Sequence, residues 1–189
     1  MAKKYKQCFG FVLLILTFII IINLIPFISK QKKYDNNVLI VDCIQSSIIN
    51  IDNSLPLPDE AGQSINLENY INGTTGYLEF EIESKVDEEV RYEIYLTEVG
   101  ENNNISDRYV KLYLSNENDV LSAQYYRSNV LSYYDLRLAK SNLDGKLIYT
   151  GSIKDKKKQK FVLRVWVADT YGYTTEKKSF SVKLNVGVL

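Results

Sequence analysis

The chain has 189 residues, with 23 bases, 23 acids, two cysteines and no histidine. The lack of histidine excludes Ser–His–Asp and Cys–His nucleophile systems and the commonest zinc ligand. Six of the bases lie in residues 1–33, which hold no acid, so the rest carries 17 bases against 23 acids; that net of −6 disfavours nucleic acid as a partner.

Residues 9–28 form a run of twenty without a charge, FGFVLLILTFIIIINLIPFI. At about 1.5 Å of helical rise each they reach roughly 30 Å, the thickness of a bilayer's hydrocarbon core. The run is longer than a signal-peptide core, and no small-residue cleavage pattern follows Pro26-Phe27-Ile28-Ser29-Lys30. It reads as an uncleaved signal anchor, with residues 1–8 a cytoplasmic tail, 29–37 a stalk and 38–189 a domain outside the cell membrane. Lys3, Lys4 and Lys6 precede the run and Lys30, Lys32 and Lys33 follow it, so flanking charge alone does not set this orientation. Cys8 and Cys43 stand on opposite sides of the run, so they do not pair within one chain and no disulfide scaffold forms.

Residues 38–44 and 48–51 are aliphatic enough for two strands, or for one strand with a bend. Residues 53–62 then carry Pro56, Pro58 and Gly62, which suits a loop crossing between sheets. In 77–83, Leu78, Phe80 and Ile82 alternate with Glu79, Glu81 and Glu83, the period of a half-buried strand. Val90, Tyr92, Ile94 and Leu96 repeat the pattern, and the 84–89 link between them has hairpin length. Val110, Leu112 and Leu114 form a third inward set. Residues 120–126 and 130–139 are ambiguous between short strands and a helical turn. Strand character resumes at 147–153. Phe161, Leu163, Val165 and Val167 face one way, as do Phe180, Val182, Leu184 and Val186, with 169–178 as an open hairpin loop. About eight short strands without βαβ rhythm predict an all-β antiparallel sandwich, immunoglobulin-like or jelly-roll, behind one N-terminal transmembrane helix.

Leu55-Pro56-Leu57-Pro58-Asp59-Glu60-Ala61-Gly62, Tyr92-Glu93-Ile94-Tyr95-Leu96, Phe161-Val162-Leu163-Arg164-Val165-Trp166-Val167 and Phe180-Ser181-Val182-Lys183-Leu184-Asn185 carry a resemblance. Together they are similar to exported β-sandwich proteins of low-GC Gram-positive bacteria, distantly to the TasA/camelysin group of matrix and fibre proteins. The likeness covers most of residues 48–186 and implies a surface or matrix role without catalysis. The chain departs from that group in lacking a cleavable leader.

Several residue groups could carry function. Tyr95, Tyr109, Tyr113 and Trp166 fall out of phase with the inward sets and could form an aromatic face for a protein or glycan, or pack across strands. Lys154, Lys156, Lys157, Lys158 and Lys160 crowd one turn, either as a solvated hairpin tip or as a contact for an anionic cell-wall polymer or lipid head groups. Glu79, Glu81 and Glu83 have the spacing of a carboxylate pair, although a solvated acidic face explains them equally. Asp52, Asp59 and Glu60 offer oxygen ligands without calcium-loop spacing, and Asn72-Gly73-Thr74 and Asn104-Ile105-Ser106 match the N-glycosylation pattern. No catalytic residue, metal site or cofactor is indicated. The expected function is adhesion, envelope or matrix interaction by a single-pass membrane protein, with a protein or cell-wall polymer as partner. A self-associating fibre subunit is the second expectation and an envelope hydrolase the third.

Overall fold

The alternating segments form nine strands in two antiparallel sheets. A computed structural model describes residues 38–43, 46–100, 103–116, 130–172 and 174–189. They belong to the second of two units, Asn36–Leu189. The predicted tail 1–8, anchor 9–28, stalk 29–37 and the ambiguous 120–126 segment lie outside the described residues. Among the described residues no helix is long and apolar enough to cross a membrane.

The strands are β1 (Leu39–Cys43), β2 (Ile48–Asp52), β3 (Gly76–Ser84), β4 (Val90–Glu98), β5 (Val110–Asn116), β6 (Leu131–Ser132), β7 (Lys146–Ile153), β8 (Lys158–Val167) and β9 (Ser179–Val188). One sheet runs β1-β3-β8-β5-β6 and the other β2-β9-β4-β7. Only β5 and β6 are consecutive strands in the same sheet; among the described strands every other link changes sheets. The expected crossing loop after residue 52 does pass from one sheet to the other.

The hairpins read into 84–89 and 169–178 do not form. β3 pairs with β1 and β8, while β4 pairs with β7 and β9. β8 and β9 likewise belong to different sheets. Alternation marks which face of a strand is buried, and both sheets of a sandwich present the same pattern to the core. A link of hairpin length also spans the ~10 Å between packed sheets, so its length does not separate the two arrangements.

The inward sets are buried as their period predicts. Leu78, Phe80 and Ile82 meet Val90, Tyr92, Ile94, Leu96, Leu112, Leu163, Val165 and Phe180 in one core, with Val186 half-buried at its margin. Phe80 stacks on Phe161 at 5.3 Å between centroids, and Tyr149 tilts onto the same ring at 5.7 Å. Cys43 lies half-buried beside this core, and burial, with the charge of Asp42, pushes its thiol up.

Two segments roof the outer faces. On the first sheet, a five-residue helix α1 (Asp59–Gln63) lies over β8, and its Gly62 meets the indole of Trp166. Leu57 bridges in parallel to Ala168 and holds this segment down, Leu57 N–H donating to the Val167 carbonyl at 2.8 Å. On the second sheet, residues 137–145 fold over β4 and β7, enclosing Tyr95 with Ala139 and Leu147. Glu93, also on this outward side, is buried, and its Oε2 accepts hydrogen bonds from the Lys140 N–H (2.8 Å), the Ser141 N–H (3.0 Å) and the Ser141 hydroxyl (3.1 Å). Three donors offset the desolvation of the carboxylate and pin the roof.

A β-carbon at Gly62 would sit 2.1 Å from an indole carbon of Trp166. Alanine's better helix propensity contributes about 1 kcal/mol, but overpacking against a rigid ring costs about 1–3 kcal/mol. Gly62→Ala is therefore expected to lower the unfolding temperature by several degrees in calorimetry. Gly73→Ala, whose β-carbon would meet nothing within 4 Å, is expected to cost less despite its positive φ.

Candidate functional site

Of the two readings of the four aromatic residues, a shared face or packing, the structure favours packing. Trp166 is fully enclosed with Ile65, Tyr77 and Val162, and its indole N–H is buried without a hydrogen-bond partner. Tyr113 is half-buried, and the Arg164 guanidinium lies 5.7 Å from its ring centre and 5.8 Å from that of Tyr77. Strand register explains the sandwich: Tyr77, Arg164 and Tyr113 stand side by side on β3, β8 and β5. Arg164 Nε–H also donates to the Ile65 carbonyl at 2.6 Å, which ties the roof to the sheet. Tyr109 makes an edge contact with Tyr171 at 5.1 Å. Tyr95 lies on the other sheet beneath the second roof. These aromatics hold covers in place.

Lys154, Lys156 and Lys157 occupy a turn between sheets, not a hairpin tip, and Lys158 and Lys160 begin β8 beside it. Asp155 and Lys156 take positive φ values of 58° and 53° there. Lys158 Nζ lies 2.7 Å from Glu81 and 3.3 Å from Glu83, and the hydrogen bonds it donates, first to Glu81 and then to Glu83, hold its ammonium pKa above the usual value. Lys156 pairs with Asp87 at 3.3 Å, and Lys160 stands opposite Glu81 in the register. Lys154 and Lys157 line an open-ended cleft of about 400 Å³ between the sheets, together with Glu89, Asn116, Ser152 and Gln159. Bases and acids therefore interleave at this end. The carboxylate pair considered on β3 is spent in the same way: Glu81 and Glu83 face Lys158, and Glu79 accepts the Tyr77 hydroxyl.

Asp52 is not free to ligate an ion either. Its side chain is buried, Oδ2 lies 3.1 Å from Lys177 Nζ and Oδ1 accepts the Ser54 N–H at 2.9 Å. Asp59 and Glu60 are exposed in the first turn of α1. Among the described residues no cluster of three His, Cys, Asp or Glu side chains is placed to hold a metal ion. Asn104 spends its side-chain oxygen on the Ser179 N–H at 2.7 Å, whereas Asn72 is exposed in a turn.

A feature missed in the sequence lies where β2 meets the start of β3. A cleft of about 310 Å³ is lined by Ser46, Ile48 and Asn50 on one side and Tyr70, Asn72 and Tyr77 on the other. Gly76 makes the approach possible, since a β-carbon there would sit 2.3 Å from Ile49 Cγ2. Tyr70 stacks on Tyr77 at 5.9 Å. The loop carrying Tyr70 and Asn72 is closed on itself: Asn66 Oδ1 accepts the Glu68 and Asn69 N–H groups, Asn69 Oδ1 accepts the Asn66 N–H, and Thr75 Oγ1 accepts the Ile71 N–H. The sequence signal was a lone Tyr70 within a polar connector.

Comparisons of the chain with protein-family models, curated proteins and solved structures return no match.

Desolvation raises the Asp52 carboxyl pKa, but hydrogen bonds from Ser54, Lys177 and Thr74 outweigh it and hold the pKa below its usual value. A group whose folded pKa is depressed stabilises the fold above its unfolded pKa, near 4, and loses that contribution as pH falls through the folded pKa. In pH-dependent denaturation, Asp52→Asn is expected to be less stable than the native chain at pH 7. Its deficit should shrink steadily below about pH 4.

Proposed function

We propose that the chain is a membrane-anchored surface protein whose β-sandwich body is a non-catalytic binding module of the envelope or its matrix. The observation that carries this reading is the uncharged run 9–28 standing directly before a body of two antiparallel sheets. The body supports a binding role in two ways. Four of its carboxylates, Glu93, Asp52, Glu81 and Glu83, are engaged in a roof or in ion pairs. Its surface includes a cleft of the size that small ligands use. The resemblance to exported matrix proteins points the same way, with residues 1–8 inside and the body outside.

The test is fractionation of the expressing cell. The full-length chain is expected in the membrane fraction, resistant to alkaline carbonate and released by detergent, and deletion of residues 1–33 is expected to free the body. A full-length chain that stays in solution without detergent would overturn the anchor.

A second reading, self-association through strand edges, is favoured by β1. Among the described residues this edge strand pairs only with β3, and Ile40 and Val41 are 39% and 40% exposed on it. A short aliphatic edge without lysine or proline is open to pairing with another strand. Sedimentation of the detergent-solubilised chain is expected to show concentration-dependent growth that Val41→Lys abolishes. A species of constant mass across the range would remove this reading.

A further inference from the structure

We propose that the cleft between β2 and the 66–77 segment is a binding subsite for a neutral pyranose sugar. The assignment deepens the binding-module reading by naming a ligand class, and it rests on that reading without depending on the anchor. Three observations converge on it.

The first is the chemistry of the walls. The cleft is lined by Ser46, Asn50, Asn72 and Thr75, by Tyr70 and Tyr77, and by Ile48 and Ile49, with no lysine, arginine, aspartate or glutamate. Amides and hydroxyls both donate and accept, as the hydroxyl array of a sugar requires. A tyrosine ring offers an apolar platform to the C–H face of a pyranose and keeps a polar edge. No charged side chain lines the cleft to meet an anion or a cation, and a purely apolar ligand would strand the amides.

The second is preorganisation. The stack of Tyr70 on Tyr77, the Arg164 guanidinium over the Tyr77 ring and the Asn66–Asn69 and Ile71–Thr75 hydrogen bonds fix one wall before any ligand arrives. β2, hydrogen-bonded to β9, fixes the other. Ordering costs on binding are accordingly small.

The third separates a sugar from a peptide strand added along β2. Ser47 accepts from the Leu184 N–H, and the Asn53 N–H donates to Lys178, so the odd-numbered residues of β2 face β9. The outward backbone groups are then those of Ile48, Asn50 and Asp52. The Ile48 N–H already donates to Ser46 Oγ at 3.2 Å, and Asp52 is buried under its Lys177 contact. The Ile48 carbonyl and the N–H and C=O of Asn50 remain, a short row. Strand addition relies on a longer row of main-chain bonds than this edge supplies; a compact ligand needs only one donor–acceptor pair.

The experiment uses the full chain in a zwitterionic detergent without a sugar head group. Glucose, galactose and N-acetylglucosamine tetramers, and an uncharged valine–threonine hexapeptide as control, are titrated while the amide signals of Asn50 and Asn72 are followed by NMR. At least one oligosaccharide is expected to shift both signals saturably. Tyr70→Ala is expected to weaken that binding about tenfold and Tyr70→Phe, which keeps the ring, to retain it. Asn50→Asp, which places a charge in the cleft, is expected to weaken it without changing the unfolding temperature by more than a few degrees. Absence of shifts with all three sugars, shifts with the hexapeptide alone, or unchanged affinity in folded Tyr70→Ala would overturn the subsite. Failure of membrane fractionation would leave this result untouched, so the two readings fall separately.

Discussion

The constraint on which the body depends is the burial of one face of every long strand against the opposite sheet, without a disulfide to help. Phe80, Phe161, Tyr92, Leu96 and Val165 contribute most of their area to a single seam between the sheets. At roughly 1.5–3 kcal/mol for each large apolar side chain withdrawn from water, such a seam offsets much of the ordering entropy of the chain. Because seven of the eight links between the described strands change sheets, the seam is also stitched: neither sheet can leave without pulling several links with it. The cost is a high proportion of contacts between residues distant in sequence, which slows folding of a topology like this one.

That stitching explains the two roofs. A chain that keeps crossing must run its longer connections around the outside, and these lie down where the sheet offers apolar area. Trp166 is the clearest case. Its indole is wholly enclosed beneath α1 although its N–H finds no acceptor. The apolar area of the ring, worth several kcal/mol at about 25 cal/mol per Å², exceeds the 1–3 kcal/mol cost of one unpaired donor. On the other sheet the balance is polar: Glu93 is enclosed because three donors from Lys140 and Ser141 reach it.

The sequence pattern revealed the inward faces because alternation records burial directly. Leu78, Phe80, Ile82 and Val90, Tyr92, Ile94, Leu96 were legible residue by residue. Sheet membership was not, since a strand's partner leaves no trace in its own alternation and a six-residue link suits either a reversal or a crossing. The aromatics stayed open between a surface face and packing for a related reason. Tyr95, Tyr113 and Trp166 are out of phase with the core, and phase alone assigns them to the surface; only the positions of residues 57–65 and 137–145 turn that surface into a second interior. The cleft was hidden by distance, its walls coming from residues 46–50, at β2, and from residues 70–77, the loop that enters β3 of the opposite sheet. Gly76 was the one local clue, and a glycine at a strand start has many explanations.

The charged end and the neutral cleft differ in what a partner would have to displace. At the lysine turn, a polyanion must compete with Glu81, Glu83 and Asp87 for Lys158 and Lys156, and the acids themselves would repel it. Exposed pairs of this kind are worth little singly, so the barrier is the mixed field more than any one bond. The residues that line the cleft include no charged side chain, and its walls are held by contacts made elsewhere. Arg164 shows a charge put to structural use beside the cleft: its guanidinium lies over the Tyr77 ring, and its Nε–H donates to the Ile65 carbonyl. Through that one side chain the roof, the third strand and the wall of the cleft share a common support, so a charge that might have marked an electrostatic surface instead shapes an uncharged one.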